Sequence, residues 1–259
     1  MGFSPDQLSR DGFLGGALHI FQPLNGYRAA TDPVFLAAFT PARPGQSVLD
    51  LGCGVGTAGL CLASRVGGID LHGLEIQRDY ADLAARNARE NGISLTVHQG
   101  DILAPPSDLR QRVFDHVIMN PPYYRKTDAS AATDAGRDRA NREGEAELSD
   151  WIAAGLRRTA QGGRVVIVHR VERLGDILAA LQNGAGGIEV LPIASRRNRP
   201  ASRVLVRAVK SGRAPLILHA PLIVHASDTH QEGKSGDFTD TVKAILAFSA
   251  ELNPNTGSI

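Results

Sequence analysis

Short runs of β-branched and other apolar residues alternate with stretches of helical periodicity, the pattern of a largely parallel sheet wrapped by helices. Strands are expected at 47–51, 70–75, 95–99, 114–119, 164–169, 188–193 and 203–209. Together they predict an α/β fold on a seven-stranded, mostly parallel, doubly wound sheet. Tyr80, Ala84 and Ala88 share one face of a helix over 78–91, which Asn91-Gly92 stops. Ser149 is placed to cap a helix carrying Ile152 and Leu156, with Gly162-Gly163 as its stop. Val171, Leu174, Ile177, Leu178 and Leu181 form a further stripe, and Val242, Ile245 and Leu246 a last one. One domain over 1–259 accounts for these elements, with 1–20 as an N-terminal extension. Residues 125–147, rich in charge, Ala and Gly, read as a long mobile loop, and 251–259 as a polar tail that frays.

Composition narrows the class. At 259 residues and 42% hydrophobic, the chain is long enough to bury one sizeable core. No apolar run approaches the length of a membrane-spanning helix, and residues 1–10 lack the basic start and apolar stretch of a secretory signal. Cys53 and Cys61 are the two cysteines, too few for a disulfide framework, so a reducing, cytoplasmic setting is expected. The net charge of +1 conceals an uneven distribution. Residues 190–227 contain no acid but hold Arg196, Arg197, Arg199, Arg203, Arg207, Lys210 and Arg213. Such a stretch reads either as a surface that tracks RNA phosphates, with Arg196, Arg197 and Arg199 foremost, or as a charge-protected edge hairpin. His219, His225 and His230 match no common ligand spacing, so no metal is expected.

Two motifs carry candidate chemistry. In the first, the strand at 47–51 runs through Asp50 into Gly52-Cys53-Gly54-Val55-Gly56 and then an apolar helix. Glycines there let the backbone turn sharply and approach a ligand closely. The third glycine arrives one position too early for a dinucleotide fingerprint. Asp50 would repel a pyrophosphate but favours the cationic sulfonium and ammonium of S-adenosylmethionine. Glu75 ends the next strand, where an acid grips a ribose diol, with Ile76 beside it. Asp101 follows the third strand, where it is placed to accept from an adenine amine while Ile102 packs on the ring. A bare strand–helix turn with solvated acids is the plainer reading. Convergence of three acids at the carboxyl ends of consecutive strands argues against it.

The second motif, Asn120-Pro121-Pro122-Tyr123-Tyr124, follows the fourth strand. An exocyclic amine on a planar group is a poor nucleophile because its lone pair is delocalised. The Asn120 side-chain oxygen and the Pro121 carbonyl can accept its two N–H bonds, favouring a pyramidal nitrogen. Pro121 and Pro122 fix the backbone, so the acceptors are preorganised. Tyr123 offers a flat stacking face, with Tyr124 beside it. Upstream, Thr31 or Asp32 caps a helix with Pro33 in its first turn, or else Thr31 and that helix start hold the methionine carboxylate of the cofactor.

Gln22-Pro23, Gly26-Tyr27-Arg28, Thr31-Asp32-Pro33-Val34-Phe35 and Asp50-Leu51-Gly52-Cys53-Gly54-Val55-Gly56, in that order before the Asn-Pro-Pro-Tyr, resemble the bacterial tRNA(Val) adenine-N6 methyltransferase family. That resemblance spans roughly 22–209 and implies a Rossmann-like class I methyltransferase. It also implies cofactor contacts at Gly52, Gly54, Glu75 and Asp101 and a target amine at 120–123. The expected reaction is methylation of adenine N6 in RNA, chiefly tRNA. A protein glutamine amide, as in release-factor methyltransferases, is the runner-up, because only 49 residues precede Asp50. Guanine N2 in rRNA and a non-enzymatic cofactor- or RNA-binding module on the same fold rank behind it.

Overall fold

The computed structural model describes residues 2–123, 146–227, 237–248 and 250–254. Strands β1 (Leu8–Phe13) and β2 (Leu18–Pro23) pair as an antiparallel hairpin. The central sheet is built from β3 (Ser47–Leu51), β4 (Asp70–Glu75), β5 (Thr96–Gln99), β6 (Phe114–Met119), β7 (Thr159–Arg170), β8 (Ala185–Ala194), β9 (Ala201–Lys210), β10 (Ile217–Leu218) and β11 (Leu222–Ile223). Its order is β10-β8-β9-β7-β6-β3-β4-β5, with β11 also pairing on β8. All neighbours are parallel except β9, which runs antiparallel to β7 and β8. Because β3 lies between β4 and β6, the chain leaves it in both directions. The crevice opens at the carboxyl ends of those strands, where open α/β sheets bind ligands.

Helices α1 (Asp32–Phe39), α2 (Thr57–Val66), α3 (Arg78–Glu90), α4 (Ser107–Arg110), α5 (Leu148–Arg158), α6 (Leu174–Leu181) and α7 (Asp240–Phe248) surround the sheet. Adjacent strand residues feed opposite cores. Val48, Ile118 and Val166 pack in a core with Phe35, Phe39 and Leu60, while Leu49, Val117 and Val165 pack in another with Ile152, Ile177 and Leu181. Burial on both faces explains why these strands read as unbroken apolar runs.

The structure corrects several expectations. The sheet has nine strands rather than seven, because β10 and β11 are two-residue segments too short to leave a periodic signal. The expected N-terminal extension, 1–20, carries β1 and the start of β2. Asn87 of α3 exchanges two hydrogen bonds with Phe21 (2.8 and 3.0 Å), and Asn91 two with His19 (2.9 and 2.8 Å), which ties the hairpin to α3. Glu147, not Ser149, occupies the cap of α5, and its backbone N–H donates to Asp150 at 2.9 Å. Gly162-Gly163 lies inside β7 rather than stopping α5. A Cβ at Gly163 would come within 2.7 Å of the Asp115 carbonyl, so close strand contact requires glycine there. At the C-terminal end, Leu252 is buried and its N–H donates to the Ala38 carbonyl at 2.8 Å, so this part of the expected tail is docked. Residues 125–145 of the expected loop and 255–259 of the tail lie outside the described residues. Among the described residues, no helix is long and apolar enough to cross a membrane.

Candidate active site

The turn between β3 and α2 is built on left-handed backbone. Gly52, Gly54 and Gly56 have φ of 72°, 56° and 89°, which favours glycine at all three positions. The N–H groups of Gly52 and Cys53 both donate to the Leu74 carbonyl (2.8 and 3.0 Å), pinning the turn to the end of β4. Gly52 is required twice over, since a Cβ there would lie 2.4 Å from the Trp151 indole of α5.

A cleft opens beside this turn. Of the expected site residues, Gly52, Gly54, Glu75, Ile76, Asp101, Ile102, Asn120, Pro121, Pro122 and Tyr123 all line it. Glu75 is buried at the tip of β4, its two oxygens accepting from Gly54 N–H and Gln77 N–H at 2.9 Å each. One Asp101 oxygen accepts from Leu103 N–H at 2.9 Å. Tyr27, Leu74, Gln77, Tyr80, Ala146 and Trp151 complete the walls.

Asp50, Cys53, Gly56 and Thr31 are not among the lining residues. Asp50 is 3% exposed and lies beneath the turn, accepting from Gly59 N–H of α2 at 2.9 Å. Burial, reinforced by the nearby charge of Glu75, raises its carboxyl to about 7. Its role is therefore to hold α2, not to face a cation in the cleft. Cys53 is buried, with its sulfur 2.8 Å from where a Cβ on Gly73 would sit, and burial pushes its thiol well above the ordinary range. Gly56 ends the turn as the left-handed cap of α2. Thr31 occupies the cap position of α1 but makes no side-chain cap bond.

The turn at Asn120–Tyr123 is held by residues distant in sequence. Asn120 Nδ2 donates to Tyr27 Oη at 3.0 Å, and Asn120 Oδ1 is buried with no hydrogen-bond partner among the described residues. Leaving a buried acceptor unmatched costs about 1–3 kcal/mol, so this oxygen is poised for a donor that the described residues do not supply. Tyr123 Oη donates to Asp32 Oδ2 at 2.5 Å, and Arg203 Nε donates to the same oxygen at 3.0 Å. The Arg203 guanidinium lies over the Tyr123 ring, 4.9 Å from its centroid, and the His169 ring meets it edgewise at 5.1 Å. Burial first, and the Asp32 charge second, raise both the Tyr27 and Tyr123 phenols, which stay neutral through the physiological range. Burial and the Arg173 charge lower His169 to about 4, so its ring is neutral as well.

Tyr124 lies outside the described residues. Arg196, Arg197 and Arg199 sit on the loop between β8 and β9, on the crevice side of the sheet, and do not line the cleft. Arg196 Nε donates to the Ser227 carbonyl at 2.9 Å, while Arg197 and Arg199 are exposed. Besides Arg203, which pairs with Asp32, two further members of the basic stretch are held by internal partners. Arg207 is buried in a bidentate pair with Glu189 (2.7 and 2.8 Å), and Lys210 Nζ donates to the Thr159 carbonyl at 2.7 Å. Tyr27, Asp32, Trp151, His169 and Arg203 gather at the cleft or the Asn120–Tyr123 turn, and the sequence motifs do not single them out for it. Of these, Tyr27 and Asp32 fall in the run leading into α1 and Arg203 in the basic stretch, while Trp151 and His169 have no local signal.

Residues 30–138 match the model of the methyltransferase small domain. The tRNA1(Val) (adenine(37)-N6)-methyltransferase of Dickeya chrysanthemi is 29% identical over 193 residues, covering 73% of this chain and 75% of that one. The protein of the same name from Vibrio campbellii is 26% identical over 247 residues, covering 92% and 96%. A crystal structure from Agrobacterium tumefaciens, described as a predicted O-methyltransferase, superposes with a TM-score of 0.65 at 28% identity, covering 83% of this chain and 94% of that one. A glycine turn flanked by strand-end acids, the sheet order and these matches converge: the chain is an S-adenosylmethionine-dependent methyltransferase with the Rossmann-like class I fold.

Proposed function

We propose that this enzyme methylates the exocyclic N6 of an adenine in tRNA, with Asn120 and Pro121 gripping the amine. The observation that carries the reading is the buried Oδ1 of Asn120, which has no hydrogen-bond partner among the described residues. The relatives' names support adenine in tRNA over a glutamine amide, which the same two acceptors could hold.

The cleft fits S-adenosylmethionine. Glu75, at the tip of β4, is placed for a ribose diol, and Asp101, which follows β5, for the adenine amine. Ile76 and Ile102 supply apolar walls for the ring. When bound, the cofactor supplies an electrophilic methyl group on a sulfonium. The protein's part is to present the nucleophile. Asn120 Oδ1 accepts one N–H of the target amine and the Pro121 carbonyl the other, holding the lone pair toward the methyl donor. Tyr123, fixed by Asp32, gives the base a rigid planar neighbour.

Nitrogen rather than oxygen as target also follows from the surroundings. A hydroxyl would need a base to become nucleophilic, whereas the phenols of Tyr27 and Tyr123 are held protonated and Asp32 is engaged by Tyr123 and Arg203. An amine instead loses its proton to water once alkylated. Arg197 and Arg199, on the same side of the sheet as the cleft, are the cations we assign to the RNA backbone.

Asn120→Ala tests the reading. It is expected to leave affinity for S-adenosylhomocysteine within about twofold of wild type while lowering turnover on tRNA by at least about a hundredfold. Loss of affinity and turnover together would make Asn120 a structural residue and remove the basis of the proposal.

A further inference from the structure

The stretch before α1 was expected to cap a helix or hold the cofactor's carboxylate, yet the structure puts its side chains on the catalytic turn. Tyr27 meets Asn120 across 93 positions and Asp32 meets Tyr123 across 91. We infer that Tyr27 and Asp32 are the positioning residues of the transfer: Tyr27 sets which end of the Asn120 amide is left for the substrate amine, and Asp32, braced by Arg203, sets the plane of Tyr123. This rests on the reading that Asn120 accepts from the amine.

The two ends of a carboxamide are nearly isosteric, so only hydrogen-bond partners decide how it faces. With Nδ2 spent on Tyr27 Oη, the oxygen is the end without a partner among the described residues. Rotated by half a turn, the amide would present N–H bonds to an amine that also offers N–H bonds, and neither could accept. The phenol oxygen serves as the acceptor for Nδ2 in this arrangement. Burial and the charge of Asp32 keep Tyr27 neutral.

Tyr123 is restrained from three directions. Its hydroxyl donates to Asp32, Arg203 covers the ring, and His169 abuts it. Asp32 Oδ2 takes both the phenol and Arg203 Nε, so one carboxylate oxygen joins α1, the catalytic turn and β9. A charge-assisted bond to an ionised acceptor is shorter and stronger than a neutral one, and it fixes the ring's tilt as well as its place. Arg203 lies just beyond the loop bearing Arg197 and Arg199, which makes it the structural link between the RNA-facing cations and the stacking ring.

The test is a pair of double-mutant cycles on the full-length enzyme, Tyr27→Phe with Asn120→Ala and Asp32→Asn with Tyr123→Phe. Turnover is measured on tRNA. Affinity for S-adenosylhomocysteine is read from the fluorescence of Trp151, the single tryptophan, which lines the cleft. Tyr27→Phe is expected to lower kcat roughly tenfold, the worth of one lost hydrogen bond in a buried site, with cofactor affinity within about twofold. It should cost nothing further in the Asn120→Ala background. Asp32→Asn is expected to lower kcat several-fold alone and by less than about twofold in the Tyr123→Phe background, with melting temperatures near those of the parents. Costs that persist undiminished in both backgrounds would show that Tyr27 and Asp32 merely support the fold, and would overturn the inference. A large effect of Asn120→Ala with none from Tyr27→Phe or Asp32→Asn would overturn it while leaving the amine reading intact. No effect of Asn120→Ala would defeat the amine reading itself.

Discussion

Asp50→Asn gives the most quantitative test of how the cofactor turn is built. Asp50 is 3% exposed beneath the turn and its carboxyl is raised from 3.8 to about 7. Raising an acid's pKa by one disfavours its ionised form by about 1.4 kcal/mol, so ionising this group in the cofactor-free fold costs up to ~4 kcal/mol. The sign follows from proton counting. Between roughly pH 4 and 7 the folded protein keeps a proton on Asp50 that the unfolded chain has lost, so this group's contribution to stability falls as pH rises and levels off above 7. Asparagine still accepts from Gly59 N–H through its amide oxygen but has no charge to bury. The variant should therefore gain on wild type as pH rises from 4 to 8, by roughly 2–4 kcal/mol across that range, whatever the offset from packing its amide N–H groups. Urea unfolding of both proteins without cofactor at pH 4, 5, 6, 7 and 8 measures the difference directly, and other titrating groups cancel in it. A difference that stays flat with pH would mean Asp50 ionises as freely in the fold as in the unfolded chain, and the placement beneath the turn would be wrong.

Other consequences follow from the same geometry. Gly52→Ala places a methyl group 2.4 Å from the Trp151 indole on a residue at φ 72°, so it should cost at least about 1–2 kcal/mol in urea unfolding and weaken S-adenosylhomocysteine binding by calorimetry. Unchanged affinity would mean the indole moves aside freely. Glu75→Gln retains one carboxamide oxygen but leaves an N–H pair facing backbone donors, and is expected to weaken cofactor binding at least about tenfold in the same titration. Arg207→Ala strands Glu189 beside His219 and should destabilise by about 2–4 kcal/mol without altering tRNA affinity. Conversely, the double change Arg197→Ala and Arg199→Ala should leave the melting temperature alone and reduce the salt dependence of tRNA binding by about two phosphates. Swapped outcomes would invert the division of the basic stretch.

What is legible without coordinates is what is local in the chain. The turn from β3 through three glycines, with Glu75 and Asp101 at the next strand tips, occupies a continuous run in which strand periodicity already sets the carboxyl ends together. The expectation for Asp50 fails although a signal is present. It shares strand parity with Val48, which faces the core beneath α2, so its carboxylate has to point under the turn. Parity also separates members of the basic stretch, since Arg203, Leu205 and Arg207 share one face of β9. Whether a cation there meets Asp32 or Glu189 depends on elements that periodicity does not align. The brackets around the catalytic turn are illegible for the same reason. Arg203 reaches Asp32 across 171 positions, and Trp151 reaches Gly52 from a helix whose own pattern explains it as an ordinary amphipathic element. The hairpin at the N-terminal end leaves no clear signal because its anchor is a pair of asparagines on α3, one of which doubles as that helix's stop.

The central claim is that Asn120 holds an adenine amine, and the identity of the methylated atom decides it. Purified enzyme is incubated with methyl-labelled S-adenosylmethionine and tRNA from cells lacking the gene, and the tRNA is digested to nucleosides for mass spectrometry. Label is expected in N6-methyladenosine and in no ribose-methylated or guanine product. Label on a ribose oxygen, or absent from tRNA and present in protein glutamine, would contradict it.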